Sequence, residues 1–136
     1  MNTLETEWWS MLVPPEWWAE REDQSILVGD RDDVGCIEIS TLCRDEGEFN
    51  DKELAGIAAS ESPEVSTWRA VSVGDFVGVE GAFSEDGAAI REWYIARKSL
   101  LLYITYSCED ENRGLDDAAV DEILETLAIA NSASSA

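Results

Sequence analysis

The residues that most often carry catalysis are scarce in this chain. It contains no histidine, so it lacks the usual general base for a serine or cysteine nucleophile and the imidazole ligands of metal sites. Its three cysteines, Cys36, Cys43 and Cys108, lack the spacing of a metal site. Each falls in or beside a predicted strand, which is typical of small buried residues in a reducing compartment. We therefore predict no catalytic residue, no bound metal and no cofactor.

Acidic residues are abundant, but they do not follow a known ligand pattern. Read as a calcium loop, the run that begins at Asp30 places Gly35 correctly, yet Thr41 stands where a bidentate glutamate is required. The run that begins at Asp110 fails because Leu115 replaces the required glycine. Carboxylate pairs suited to glycoside hydrolysis arise by chance among 30 acidic residues. Solvated turns explain the clusters best, with weak divalent binding and an enzyme using carboxylates alone as minor alternatives.

The formal net charge is −21, and the acidic residues run along the whole chain instead of forming a tail. Such a surface repels nucleic acid and anionic membranes and attracts basic proteins. We therefore expect a basic protein partner, with no nucleic acid and no membrane. General solubility, or the composition of a salt-loving organism, is the competing interpretation. The acidic residues expected to contact the partner lie in turns: Asp30, Asp32, Asp33, Asp45, Glu46, Glu48, Glu109, Asp110 and Glu111.

Two pairs of adjacent tryptophans add an apolar component to this expected surface. Neighbouring residues of a strand point to opposite faces, so at most one member of each pair enters the same core. We expect Trp8 and Trp18 to be the exposed members, each an aromatic anchor within an acidic rim, which is a common form of binding hot spot. The alternative is that both faces of the sheet are covered, or that the second tryptophan packs under a loop.

A β-hairpin late in the chain is expected to organise the fold. Two runs rich in aromatic and β-branched residues, Ile90 to Ala96 and Leu100 to Ser107, flank three polar residues. The second run is apolar on both alternating faces, which indicates a central strand covered on both sides. Further strand patterns cover Trp17 to about Glu22, Ser25 to Gly29, Cys36 to Cys43, Trp68 to Val73 and Phe76 to Phe83.

Two segments have the apolar period of a helix. One runs from Phe49 to Ser60, and the other begins near Asp116 or Asp117. Asn50 and Glu53 form a capping-box pattern at the start of the first helix. Gly56 in its interior suggests close packing on a sheet. Together with the strands, these helices predict an α+β fold in which a meandering antiparallel sheet packs with two helices.

The length suits a single domain over residues 1–136. Residues 131–136 are small and polar, which predicts a frayed tail. The N-terminus lacks the pattern of a secretory signal, and no run of 18 apolar residues occurs. We therefore expect the protein in the cytoplasm.

Three segments share a pattern with a known fold family. They are Trp9–Trp17, WSMLVPPEW, then Ala89–Tyr106 with its LLLYITY strand, and Val120–Leu127, VDEILETL. These resemble the opening strand, late hairpin and closing helix of the PsbP-like family, which includes DcrB-like bacterial proteins. The resemblance spans most of the chain and implies an α/β/α sandwich. It also implies a non-enzymatic binding or accessory protein, as most members of this fold are, and some bacterial members accompany secreted toxins as chaperones or antidotes.

These observations predict a bacterial immunity protein, of the kind associated with type VI secretion, that neutralises a basic toxin such as a nuclease through its acidic surface. The alternative is a chaperone or adaptor that holds an apolar segment of a secreted effector against the sheet. The two hypotheses differ in their expected response to salt, because only the first depends on charge.

Overall fold

The structure is a computed structural model and describes residues 2–130. The tail predicted for residues 131–136 lies outside the described residues. Within them the chain forms two helices and ten strands: β1 Asn2–Glu5, β2 Trp9–Val13, β3 Trp17–Arg21, β4 Ser25–Asp30, β5 Gly35–Cys43, α1 Asp51–Glu61, β6 Arg69–Val73, β7 Phe76–Glu85, β8 Ala88–Arg97, β9 Leu100–Glu109, α2 Asp117–Glu125 and β10 Ala128–Ile129. A 3₁₀ turn at Asp110–Asn112 follows β9.

Seven strands form one antiparallel sheet in the order β3, β4, β5, β9, β8, β7, β6. The predicted central strand is confirmed, because β9 is the fourth of the seven. The hairpin of β8 and β9 is also confirmed, and its turn is shorter than expected because Arg97 already pairs with Leu100. The predicted α+β fold, a large antiparallel sheet packed with two helices, is therefore correct.

The large sheet buries side chains on both faces. Its front face carries the main core, which includes Trp93, Ile95, Leu102 and Ile104 and is covered by α2 and by strand β2. Its back face carries a smaller core around Tyr94, Ala96 and Leu101, which is covered by Leu54 and Ala58 of α1. Residues of β9 alternate between these two cores, which explains why the strand is apolar on both sides.

A second sheet, not expected from the sequence, covers part of the front face. It has three strands in the order β1, β2, β10. Strand β2 directs Trp9, Met11 and Val13 into the main core, and the Trp9 indole N–H donates to Oγ1 of Thr41 at 2.9 Å. Two prolines then end β2, so the chain leaves the small sheet and enters β3 of the large one.

Helix α1 begins where the sequence predicts, but the expectation for one residue in its interior is wrong. The Asn50 side chain accepts a hydrogen bond from the Glu53 N–H at 2.8 Å, which confirms the N-cap. The expected close packing of Gly56 is wrong, because Gly56 is exposed and a Cβ added there would meet no atom within 4 Å. The helix contacts the sheet through Leu54 and Ala58, on the opposite side from Gly56.

Candidate binding surface

Three turns meet at one end of the large sheet. The register pairs Gly35 of β5 with Cys108 of β9, and Ala88 of β8 with Glu109 of β9. The N–H of Asp110 also donates to the carbonyl of Gly87 at 2.8 Å. The β4–β5 turn, the β7–β8 turn and the end of β9 therefore lie side by side. We call this region the acidic end, because its exposed carboxylates are those of Asp32, Asp33, Glu85, Asp86, Glu109, Asp110 and Glu111.

The backbone of these turns is fixed by local bonds. Asp33 and Asp86 have φ angles of 63° and 52°, a left-handed conformation that aspartate tolerates better than most residues with a side chain. In the β4–β5 turn, Oδ1 of Asp30 accepts the Val34 N–H at 2.8 Å, and the Asp33 N–H donates to the Asp30 carbonyl at 3.2 Å. The turn therefore presents Asp32 and Asp33 to solvent in a defined arrangement.

Asp30, expected among the contacting carboxylates, is instead buried with only 7% of its surface exposed. Its carboxyl group faces that of Asp116, and Asp116 also accepts the Tyr106 hydroxyl at 2.8 Å. Burial raises the pKa of Asp30, and the hydrogen bond with Asp116 raises it further. The role of Asp30 is thus internal, because it joins the β4–β5 turn to the segment that precedes α2.

The other predicted acidic cluster, Asp45, Glu46 and Glu48, lies at the opposite end of the sheet. The loop that carries it follows Cys43, and Cys43 pairs with Leu100 at the start of β9. Since β9 has ten residues, the two ends are about 30 Å apart. The nine acidic residues proposed from the sequence therefore do not form one surface.

Positive charges accompany the acidic residues at this opposite end, which we call the far end. Arg97 and Lys98 are exposed near the acidic loop, and the Phe49 N–H joins the loop to the carbonyl of Lys98 at 2.8 Å. The Arg44 guanidinium donates to Glu53 at 3.0 Å and lies 3.9 Å from the centre of the Phe49 ring. The far end consequently has a mixed charge, whereas carboxylates dominate the acidic end.

One member of each tryptophan pair is buried, as expected, but of the two members expected to be exposed only Trp8 is. Trp9 and Trp17 are buried, while Trp8 is 40% exposed and Trp18 is half-buried. Trp18 lies over Gly29, where an added Cβ would overlap its indole ring, and its indole N–H donates to the Asp30 carbonyl at 3.2 Å. Trp18 therefore adjoins the acidic end. Trp8 precedes the part of β2 that contacts Thr41, near the far end.

The cysteines are all free thiols. Burial raises the pKa of Cys36 and of Cys108, which keeps both thiols protonated and poorly nucleophilic. Across residues 2–130, no group of three histidine, cysteine, aspartate or glutamate side chains is arranged to hold a metal ion. Neither helix in this part of the chain combines the length and the hydropathy that crossing a membrane requires.

Glu85 and Asp86 belong to the acidic end but were not proposed from the sequence. Their position follows from the register of the predicted hairpin. Counting outward from its turn pairs Ala88 with Glu109, which places the turn before β8 beside the residues that follow β9. The position of Glu85 and Asp86 could therefore have been inferred from the register of the hairpin, but not from the local composition.

Comparison with known proteins shows likeness at the level of the fold. No family model matches the chain, and no curated protein matches it. A crystal structure from Bacteroides thetaiotaomicron VPI-5482 has a TM-score of 0.67 and 19% identity over 93% of this chain. The match covers 46% of that protein, so the present chain spans about half its length.

A second similar structure is LpqN of Mycobacterium tuberculosis, described as involved in cell envelope biogenesis. Its TM-score is 0.60 with 17% identity, and the match covers 89% of this chain and 82% of LpqN. At these identities the likeness shows a shared fold and carries no role from either protein.

Proposed function

We propose that this chain is a non-enzymatic, cytoplasmic protein-binding domain of the immunity type, which neutralises a basic toxin by docking its acidic end against the toxin's positive surface. The observation that carries the proposal is the convergence of seven exposed carboxylates from three turns of the sheet. Two basic residues lie there as well: Arg31, which donates to the Pro15 carbonyl, and Arg113, which is paired with Asp110, one of the seven, so carboxylates outnumber cations.

Clustered carboxylates have two physical consequences. They attract a basic partner over about 8 to 10 Å and can raise the association rate by about 10- to 1,000-fold. They also repel each other, which destabilises the free domain, and a basic partner would relieve that repulsion. Both effects favour a partner whose own surface is strongly positive, such as the substrate-binding cleft of a nuclease.

Two variants with equal changes in charge test the proposal. The acidic-end variant carries Asp32→Lys, Glu85→Lys and Glu109→Lys, and the far-end variant carries Asp45→Lys, Glu46→Lys and Glu48→Lys. Each variant and the unchanged protein would be tagged and used to capture partners from lysate of the source cells, with identification by mass spectrometry. The captured protein would then be assayed for its own activity, including DNA and RNA cleavage, with each variant added.

We expect one basic protein to be retained stoichiometrically, and inhibited, by the unchanged protein and by the far-end variant. The acidic-end variant should neither retain nor inhibit it. Equal retention by both variants would contradict an interface at the acidic end. Retention of a basic protein whose activity is not inhibited would contradict the immunity role.

A second candidate is the chaperone or adaptor role, and the uncovered half of the back face favours it. Helix α1 packs over β7 and β8, and Leu27 and Cys36 on the back face of β4 and β5 are only half-buried. Leu42 on the same face is 57% exposed. An extended apolar segment could lie against this half, with strand β3 as an available edge.

The response to salt separates the two candidates. A partner held by the acidic end should dissociate as NaCl is raised, because mobile ions screen exposed charges. A partner held on the back face should stay bound in high salt and be released by Leu42→Asp. Retention that survives high salt and is lost in Leu42→Asp would favour the chaperone role over the immunity role.

A further inference from the structure

A cavity of about 280 Å³ opens on the front face of the sheet beside the acidic end. Ala82, Ala89, Tyr106 and Cys108 contribute to its floor, and the segment from Arg113 to Asp117 supplies residues of its wall. The two alanines belong to neighbouring cross-strand rows, since Ala82 pairs with Arg91 and Ala89 pairs with Cys108. Their methyl groups leave space at this end of the sheet that larger side chains would fill.

Carboxylates dominate the charge around this cavity. The Arg91 guanidinium lines it but already binds Glu80 at 2.6 Å, Asp121 at 2.7 Å and Asp117 at 3.4 Å. The Arg113 guanidinium also lines it and is paired with Asp110 and with the Ser84 hydroxyl. Four carboxylates therefore surround two guanidinium groups. Three of them, Asp110, Asp117 and Asp121, are themselves exposed, and the four carboxylates outnumber the two cations, so negative charge remains near the cavity.

The other polar groups of the floor are neutral. Burial raises the pKa of the Cys108 thiol and that of the Tyr106 hydroxyl, which donates to Asp116 at 2.8 Å. Neither group is a thiolate or phenolate that could attack a substrate. The floor is consequently an uncharged surface, bordered by two guanidinium groups and by the larger number of carboxylates that bind them.

We propose that this cavity binds an arginine side chain of the basic partner. The methylene groups of that arginine would lie on Ala82 and Ala89, and its guanidinium would bind the Asp117 carboxylate. Arginine suits such a site because it combines an apolar stem with a planar cation that can donate several hydrogen bonds, and it is enriched among binding hot spots. An apolar side chain would bury Asp117 without a new partner. An anion would meet a net negative charge, because four carboxylates outnumber the two guanidinium groups they bind.

This inference rests on the proposed function, because it names the residue through which the partner is anchored. It can nevertheless be tested on the free protein. The probes are N-acetyl-arginine amide and N-acetyl-citrulline amide, which have nearly the same shape and differ in charge. Binding would be followed through the backbone amide resonances of the full chain during titration to about 100 mM, where even weak binding becomes visible.

We expect saturable shifts at Ala82, Ala89 and Gly114 with the arginine probe, and at least about tenfold weaker binding of the citrulline probe. Ala82→Leu should abolish these shifts by filling the cavity. Its control is Ala70→Leu, which places the same side chain at an exposed site on β6 and should change nothing. The inference would be overturned by equal binding of the two probes, by binding that survives Ala82→Leu, or by no shifts at these amides.

Rate measurements with the captured partner separate failure of this inference from failure of the proposed function. Ala82→Leu should raise the dissociation rate by about tenfold or more and leave the association rate unchanged. The acidic-end variant should instead lower the association rate. If Ala82→Leu changes neither rate while the acidic-end variant still impairs association, the arginine site is wrong and the proposed function stands.

Discussion

The two ends of the large sheet carry similar sequence features and differ in what the fold makes of them. Each end has a run of acidic residues in a turn or loop, Asp30–Asp33 at one and Asp45–Glu48 at the other. At the acidic end, two further acidic turns lie alongside, and basic side chains are few and engaged. At the far end, Arg97 and Lys98 are exposed near the loop.

The number of carboxylates in a turn does not by itself locate a charged surface. Register does, because antiparallel pairing decides which turns become neighbours. One residue within an acidic run can also have an internal role, as Asp30 does through Asp116 and Val34.

The largest expected effect concerns glycines in the turns at the two ends. Gly74 at the far end and Gly87 at the acidic end both have positive φ, 56° and 83°. A Cβ on Gly74 would also overlap the backbone carbonyl of Leu127, whereas one on Gly87 meets no atom within 4 Å. Gly74→Ala should lower the free energy of unfolding by about 3 kcal/mol and Gly87→Ala by about 1 kcal/mol. Urea unfolding of both variants checks this, and equal losses would contradict the difference in packing.

Asp30→Asn should stabilise the protein at neutral pH by about 1 kcal/mol, because the amide can keep the Val34 bond and donate to Asp116 without a buried charge. Asp32→Asn, in the same turn but exposed, is the control and should change stability little. Urea unfolding near neutral pH compares the two variants. Destabilisation by Asp30→Asn would mean that Asp30 is needed as a carboxyl group.

The contact between buried Asp30 and Asp116 also predicts that the stability of the protein depends on pH. Because folding raises the pKa of Asp30 above its ordinary 3.8, the folded state binds a proton that the unfolded chain has released. The contribution of protonated Asp30 to the stability of the fold is therefore complete below the unfolded pKa and is lost as pH rises through the folded pKa. Asp30→Asn should remove this loss, so its advantage over the unchanged protein should shrink as the pH falls from 7 to 4.

Charge repulsion gives a smaller difference between the two ends. At low salt, the acidic-end variant should gain about 1 kcal/mol in unfolding free energy, since it replaces clustered carboxylates with cations. The far-end variant should change by about 0.5 kcal/mol or less, because cations are already present there. The gap should nearly close at about 1 M NaCl, where the screening length is about 3 Å. Urea unfolding at two salt concentrations measures it, and a gap unaffected by salt would contradict an electrostatic origin.

Gly56→Ala should also have a small effect, a stabilisation of about 0.5 to 1 kcal/mol. Gly56 is exposed inside α1 and has open space around its Cα, so alanine gains helix propensity without a clash. Because α1 lies on the back face, this change should raise stability and leave the binding behaviour of both ends unaltered. Thermal unfolding would show it, and a loss of stability would indicate a contact that the structure lacks.

Much of the large sheet could be predicted because its strands have strong local patterns. The two apolar faces of β9 predicted its central position in the sheet. The Asn50 cap and the apolar period predicted α1. The small sheet could not be predicted, because β1 is largely polar and β10 has two residues. The expected packing of Gly56 on the sheet was wrong because a glycine inside a helix pattern does not show which side of the helix faces the core.

The candidate surface was less predictable than the fold. Turn composition correctly indicated that Asp32, Asp33, Glu109, Asp110 and Glu111 are exposed. Composition could not show that Asp30 is buried, because its burial depends on Asp116, which is 86 positions later in the sequence. It also could not separate the far-end acids from the others, since that division arises only when β5 pairs with β9.

The most direct test of the central claim is the association rate of the captured basic partner with the acidic-end and far-end variants, measured by stopped flow at several salt concentrations. We predict that at low salt the acidic-end variant associates at least about tenfold more slowly than the unchanged protein, while the far-end variant stays within about threefold of it. Equal slowing by the two variants would mean that net charge alone drives association, and would contradict a binding surface at the acidic end.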